Sequence, residues 1–134
     1  MSQSNVEVVQ RLFELFGQGQ GIEPALEVMH PDVVIDIPAN MSAEPDTYHG
    51  HDGVRRYFAG FDGMLDEVRY EPIEIIPVGD AVIAGARMSG RGASSGLDVG
   101  LDSYVVHEFA DGKVIKMTPY PDLESARAAL EPAG

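Results

Sequence analysis

The second half of the chain is a succession of β-strand patterns separated by short turns, and this order most constrains the fold. Segments rich in β-branched residues cover residues 67–78, 81–92, 97–109 and 113–120. Gly79-Asp80 joins the first two segments, and Asp111-Gly112, a strong hairpin signal, joins the last two. A "GASSG" stretch joins the middle pair. The pattern therefore predicts consecutive antiparallel strands.

Helical patterns come before and after these strands. Apolar residues recur at three- and four-residue steps near the N-terminus, which predicts a helix over residues 4–16 that ends at "GQGQG". A second short helix is predicted over residues 22–30, where Pro31 stops it because the residue before a proline disfavours helical backbone. A short terminal helix is predicted over residues 122–130.

The segment "YHGHDGVRRYF" holds two of the four histidines of the chain. Gly50 supplies a turn, and Asp52 is placed to accept backbone N–H bonds at a helix start. Apolar residues at i, i+3, i+4 and i+7 then predict one stripe along that helix, formed by Val54, Tyr57, Phe58 and Phe61.

One further strand, "DVVIDIP" at residues 32–38, lies between the helices and is followed by a polar loop over residues 39–50. Helices first and antiparallel strands afterwards indicate an α+β domain whose helices cover one face of the sheet. With 134 residues, 44% of them hydrophobic, the chain fits one domain, residues 1–134.

The composition excludes several function classes. Without cysteine, the chain has no disulfide, thiol nucleophile or cysteine-type zinc site. Its formal net charge of -13 repels phosphate backbones and anionic membranes, so we expect no nucleic acid and no membrane as partner, but a small hydrophobic molecule. No apolar run approaches the roughly 20 residues of a membrane helix. We see no secretory signal and expect a cytoplasmic location.

The order and spacing of "HPDVVIDIP", "YHGHDGVRRYF" and "HEFADGKVIKMTPYPD" resemble the SnoaL-like and ketosteroid isomerase-like families of the nuclear transport factor 2-like superfold. The resemblance covers nearly the whole chain. It implies a cone-shaped α+β barrel in which a curved, mostly antiparallel sheet wraps round the helices. It also implies an apolar pocket at the open end of the cone, and a homodimer.

The resemblance gives the stretch around His49 and His51 a structural role. Two nearby histidines do not supply the three or four ligands of a zinc site, so we expect no metal there. We expect no cofactor either, because the chemistry that the resemblance implies is acid-base chemistry.

Ketosteroid isomerases use a carboxylate base with a tyrosine and a protonated aspartate as oxyanion donors. Aligned on the family motifs, these three positions are apolar here: Ile37, Leu12 and Val105. A one-residue slip in two strands would instead bring Asp36 and Tyr104 inward. We therefore expect no ordinary steroid isomerase activity.

Two other activities of the superfold need different residues. Limonene epoxide hydrolases use an arginine flanked by two aspartates, but Arg87 has Ser89 beside it and only Asp102 as a candidate carboxylate. SnoaL-like polyketide cyclases need less, because one acid-base group in an apolar pocket suffices for an aldol closure. The sequence leaves that activity open.

His107 and Asp36 are the candidate catalytic residues. If Val105 faces the pocket, strand alternation turns Ser103 and His107 the same way, and an imidazole there can exchange a proton near neutral pH. The alternative is a core histidine bonded to a carboxylate or a backbone carbonyl. For Asp36, alternation favours a position that faces solvent or a dimer partner.

Arg87 is a candidate to bind a ligand oxygen, although a cross-strand acid is its favoured partner. Tyr48 and His51 are expected at the pocket rim. The expected walls, which also fit an ordinary core, are Phe13, Phe16, Tyr57, Phe61, Met64, Ser103, Val105, Met117 and Tyr120. Two functions fit: a cofactor-independent cyclase, isomerase or lyase acting on a hydrophobic carbonyl-bearing metabolite, or a non-catalytic module for ligand binding or dimerisation.

Overall fold

The computed structural model describes residues 2–16, 22–38, 47–62, 65–92 and 95–130. In chain order the elements are helix α1 (Ser2–Phe16), a 3₁₀ helix (Glu23–Val28), strands β1 (Met29–Asp36) and β2 (Thr47–His49), helix α2 (Gly50–Asp62), strands β3 (Leu65–Val78), β4 (Ala81–Gly92), β5 (Asp98–Ala110) and β6 (Lys113–Tyr120), and helix α3 (Leu123–Leu130). Within these ranges, no helix has the length and apolar character needed to cross a membrane.

The strands form one mixed sheet in the order β2-β1-β6-β5-β4-β3. The pair β1 and β6 runs parallel, and the other neighbouring strands run antiparallel. Helices α1 and α2 pack against one face, which we call the inner face. This architecture confirms the predicted cone-shaped α+β fold with a mostly antiparallel sheet.

Strand alternation divides the side chains of β4 between the two faces of the sheet. Val82, Ala84 and Ala86 face inward, where they pack with Val9 and Phe13 of α1. The small alanines leave room for the helix to approach the sheet closely. The predicted apolar stripe of the first helix is therefore its contact with the sheet.

Helix α3 covers part of the opposite, outer face. Its Ala126 is fully buried against Ile83 of β4 and Val106 of β5, the residues that alternate with the inward-facing set. The part of the sheet around Ile83 and Val106 is thus covered on both faces, which explains why these two strands contain consecutive buried residues.

The turns follow the sequence signals closely. Asp111 and Gly112 both adopt positive φ, 54° and 75°, as the two central residues of a type I′ hairpin require. Gly79 has a φ of 59° in the turn between β3 and β4. These turns fix where the strands reverse, which is why the predicted and observed strand ends agree within about two residues.

Two predicted elements near residue 30 need correction. The second helix is a single 3₁₀ segment, and Met29 already begins β1, so Pro31 lies inside the strand and does not end a helix. Proline is tolerated there because the pairing with β6 is irregular between Met29 and Val34. The predicted polar loop ends in strand β2, which pairs with β1, and its residues 39–46 lie outside the described ranges.

Glycines hold the start of α2 against β2. Gly50 has a φ of 69°, which confirms its predicted turn. Gly53 lies so close to the preceding strand that an added Cβ would be 2.8 Å from the carbonyl carbon of Tyr48. Backbone cannot give way as a flexible side chain can, so this helix start requires glycine at position 53.

We predict that Gly53→Ala destabilises the protein by about 1–2 kcal/mol, although the same change in an unobstructed helix gains about 0.5–1 kcal/mol. Urea unfolding measures the difference. Gly100→Ala is the matched control, because nothing lies within 4 Å of a Cβ built there. A Gly53→Ala protein as stable as wild type would show that the contact with Tyr48 relaxes freely.

Candidate functional site

A small apolar cavity lies between α2 and the inner face of the sheet. Its free volume is about 50 Å³. Six elements supply its lining, which consists of Ile35, Tyr57, Phe58, Tyr70, Met88, Leu101, Ser103, Val105, Met117 and Pro119. Since ligand pockets usually measure roughly 300–1,000 Å³, the cavity as it stands holds only one end of a typical ligand.

Cross-strand register explains how residues distant in sequence meet in this lining. Met88 of β4 is paired with Tyr70 of β3 on one side and with Leu101 of β5 on the other. Directly paired residues point to the same face, so the three side chains form one row across the sheet. Val105 is likewise paired with Pro119 of β6.

Two phenols and one hydroxyl supply the polar side-chain groups among the lining residues, from Tyr57, Tyr70 and Ser103. Burial, and secondarily the phenol of Tyr48, raises the pKa of Tyr57 to about 12. Burial, reinforced by Tyr57, raises the pKa of Tyr70 further still. Both phenols therefore stay protonated throughout the neutral range and can donate hydrogen bonds into the cavity.

Aromatic contacts fix the two phenol rings. Tyr70 stacks on Phe13 with ring centroids 5.0 Å apart and also contacts Phe16 at 5.2 Å. Tyr57 meets Tyr48 edge to face at 5.3 Å and Phe58 at 5.2 Å. Such contacts limit ring rotation, so the donors are held in place before a ligand arrives.

Eight of the nine predicted wall residues divide into three groups. Tyr57, Ser103, Val105 and Met117 line the cavity. Phe13 and Phe16 do not line it but pack behind Tyr70. The side chain of Phe61 and the whole of Met64 lie outside the part of the chain that the structure describes.

Sequence reasoning missed much of the lining, including Tyr70 and Met88. Each lies in a segment whose strand was predicted correctly, but alternation within one strand does not say which face is the inner one. The signal that could have found them is the hairpin register, counted outward from the turn at Gly79-Asp80.

His107 shares a face with Ser103 and Val105 but is fully buried and does not line the cavity. Its Nδ1 lies 3.1 Å from the carbonyl oxygen of Val105 and 3.3 Å from that of Val82. Its Nε2 is buried without a hydrogen-bond partner among the described residues. Burial lowers the pKa of His107 to about 4, although both carbonyls oppose the shift. The placement corrects the catalytic hypothesis in favour of a neutral core histidine.

Asp36 and Tyr120 lie on the outer face, away from the cavity. Ile35 lines the cavity, so alternation turns Asp36 outward, where it accepts a hydrogen bond of 3.2 Å from Thr47 Oγ1. Burial raises the pKa of Tyr120, and the nearby Asp36 carboxylate adds to the shift. This corrects both pocket assignments, because neither side chain can reach the cavity through the sheet.

Arg87 also lies on the outer face, where its guanidinium donates two hydrogen bonds to Asp102, of 2.7 and 2.9 Å. The two residues are direct cross-strand partners. This is the acid pairing that the sequence favoured, and it corrects the hypothesis that Arg87 binds a ligand in the cavity. The same pair therefore cannot serve epoxide hydrolysis there.

Neither of the two expected rim residues belongs to the lining of the cavity. Tyr48 packs on Tyr57 and carries the guanidinium of Arg56 over its ring at 4.7 Å. His51 Nε2 lies 3.0 Å from the carbonyl oxygen of Met29. That hydrogen bond joins the start of α2 to β1, which fits the structural role expected for this histidine.

An α+β cone whose mixed sheet encloses helices is the architecture of nuclear transport factor 2-like proteins. The family model described as a SnoaL-like domain matches residues 9–117. The chain belongs to the SnoaL-like family. No curated protein matches it.

Solved structures resemble the chain over nearly its whole length. TerC, co-crystallised with polyporic acid, is 26% identical with a TM-score of 0.73, over 93% of this chain and 96% of TerC. A polyketide cyclase candidate of SnoaL-like type from Jannaschia sp. CCS1 is 24% identical with a TM-score of 0.73, over 98% and 94%. An NTF2-like protein from Burkholderia pseudomallei K96243 is 24% identical with a TM-score of 0.74, over 96% and 98%.

We predict that His107 makes the protein less stable as the pH falls from 6.5 to about 4. In that pH range the imidazole binds a proton in the unfolded chain but not in the folded protein. Proton binding therefore stabilises the unfolded state relative to the folded state. The loss is on the order of 3 kcal/mol and is complete below the folded pKa. Urea unfolding between pH 4 and 8 measures it.

The control separates the effect of this imidazole on stability from the effect of carboxylates, which bind protons over an overlapping pH range. His107→Gln should flatten the stability curve between pH 6.5 and 4, whatever its stability at pH 7. Equal slopes for wild type and His107→Gln would contradict the lowered pKa.

Proposed function

We propose that this protein binds a small hydrophobic molecule bearing a carbonyl group, and that Tyr57 and Tyr70 donate hydrogen bonds to its oxygen. The observation that carries the proposal is the pair of protonated phenols in a lining that, apart from Ser103, is otherwise apolar. An apolar wall favours hydrocarbon and makes burial of a charged group costly, while a phenol kept from water needs an acceptor, which an uncharged carbonyl supplies.

The same donors support a catalytic role. A phenol that binds a carbonyl oxygen stabilises the negative charge that grows there when a neighbouring C–H loses its proton. The described lining holds no carboxylate or imidazole, so the proton acceptor would be water or a group of the substrate itself. Cyclisation, isomerisation, hydration and dehydration are reactions that such assistance accelerates without a cofactor.

The relatives support a small organic ligand. TerC was co-crystallised with polyporic acid, and it is similar to this chain over nearly the full length of both proteins. We infer from its apolar lining that the cavity, and not the outer face of the sheet, is where the ligand binds.

A second candidate function is binding without turnover. It is favoured by one observation: the ionisable groups first expected to carry a proton lie elsewhere, His107 in the core and Asp36 on the outer face. In that case the phenols would orient a sequestered ligand. A homodimer and a cytoplasmic location remain our expectations for either function.

We predict that Tyr57→Phe and Tyr70→Phe each weaken the binding of acetophenone about fivefold, because each removes one hydrogen bond of about 1 kcal/mol. α-Methylstyrene has the same shape with a methylene group in place of the oxygen, so its affinity should be unchanged. Isothermal titration calorimetry measures both. Tyr104→Phe is the matched control, since Tyr104 packs over Gly85 on the outer face.

Equal losses of affinity for the ketone and the hydrocarbon would show that the two tyrosine rings contribute to binding by shape alone. A loss for Tyr104→Phe as large as for Tyr57→Phe would place the ligand outside the cavity.

For turnover, we predict that Asp36→Asn keeps the wild-type rate on any ketone, epoxide or polyketide that the protein transforms. The carboxylate lies on the wrong side of the sheet to reach a substrate in the cavity. Tyr57→Phe should lower kcat about tenfold on the same substrate, since a donor to a developing oxyanion is lost. A rate that falls only for Asp36→Asn would refute this site.

A further inference from the structure

Three exposed apolar side chains stand in a row at the start of β5. Leu97 is 68% exposed, Val99 43% and Leu101 53%. Val99 and Leu101 alternate with their neighbours and continue the inner-face series that contains Ser103 and Val105. Leu97 lies one residue before β5 and continues its pairing with β4, because its carbonyl oxygen accepts a backbone hydrogen bond of 2.8 Å from Gly92. We call the three residues the apolar strip. From Leu97 to Leu101 it spans about 13 Å, at roughly 3.3 Å per residue.

The strip is continuous with the cavity. Leu101 belongs to both, because it lines the cavity and is more than half exposed. Beyond it, Val99 is paired with Gly90 of β4, which presents no side chain. The neighbouring strand therefore has no side chain to cover Val99 on this face.

Charge is separated between the two faces at this end of β5. Asp98 and Asp102 alternate with the strip and point to the outer face, where each is paired across the sheet with an arginine, Arg91 and Arg87 respectively. The strip itself carries no charged side chain. In a chain of net charge -13, an uncharged row of three large apolar residues fits hydrocarbon better than a charged partner.

We propose that the apolar strip binds the hydrocarbon tail of an elongated ligand whose carbonyl end lies in the cavity. The inference rests on the function proposed above and adds the shape of the ligand. A cavity of about 50 Å³ encloses little more than the carbonyl and its neighbouring atoms, so the remainder must leave through the open side, where Leu101 stands.

The test is a series of alkyl phenyl ketones, from acetophenone to decanophenone, titrated by calorimetry. Wild-type affinity should rise roughly two- to fourfold per added methylene, as expected for buried hydrocarbon. The double variant Leu97→Ser with Val99→Ser should bind acetophenone as wild type does but lose most of the rise. Neither residue lines the cavity, and both are exposed, so folding should be unaffected.

The matched control is Ile73→Ser, because Ile73 is 45% exposed on β3, two strands away. It should keep the full dependence on chain length. Two outcomes overturn the proposal that the strip binds the tail and leave the cavity proposal intact. One is the same rise of affinity in the double variant as in wild type, and the other is a wild-type affinity that does not change across the series.

Other outcomes separate the two proposals. Binding of no ketone of any length overturns the proposed function and the strip together. If long ketones bind no better than alkylbenzenes of equal length, the result supports hydrocarbon binding by the strip and overturns carbonyl recognition by the phenols. If light scattering shows that the double variant turns a dimer into monomers, the strip is an interface between two copies of this chain, and the tail proposal is wrong.

Discussion

The register between β4 and β5 is the constraint on which the rest of the site depends. Pairing Met88 with Leu101 and Ala86 with Ser103 puts both pairs on the inner face. A shift of one residue would exchange every inward and outward side chain of β5. The outward pair Arg87–Asp102, bonded at two points, holds the same register from the opposite side. An exposed ion pair contributes little stability, but this one specifies the alignment.

That register decides which chemistry the cavity can perform. It turns Asp102 and Arg87 outward and leaves Ser103 as the polar residue of β5 in the lining. Protonated phenols from α2 and β3 then supply the other donors. The lining thus offers hydrogen-bond donors but, among its described residues, no strong base. It therefore lacks the carboxylate that ketosteroid isomerases use to remove a proton.

Most of the fold was predictable because it depends on local signals. The turns at Gly79 and Asp111-Gly112 mark the strand ends, and alternation correctly favoured an outward Asp36. The site was less predictable because it depends on pairing between distant strands. Tyr70 reaches the cavity only through its register with Met88, and the depth at which His107 lies along β5 cannot be read from alternation. Pro31 misled because a strand irregularity accommodates it.

Two of the cavity walls, Met88 and Met117, are unbranched thioethers. Such side chains change rotamer at small cost, whereas the aromatic rings beside them cannot without disturbing several neighbours. The enclosed space is thus elastic where the two methionines line it and rigid where the aromatic rings do. Under the proposed function, ligands of different thickness enter without moving the backbone, and the placement of the phenol oxygens discriminates among them. Under that proposal, a lineage that exchanged only these methionines would acquire new ligands while retaining the same recognition of oxygen.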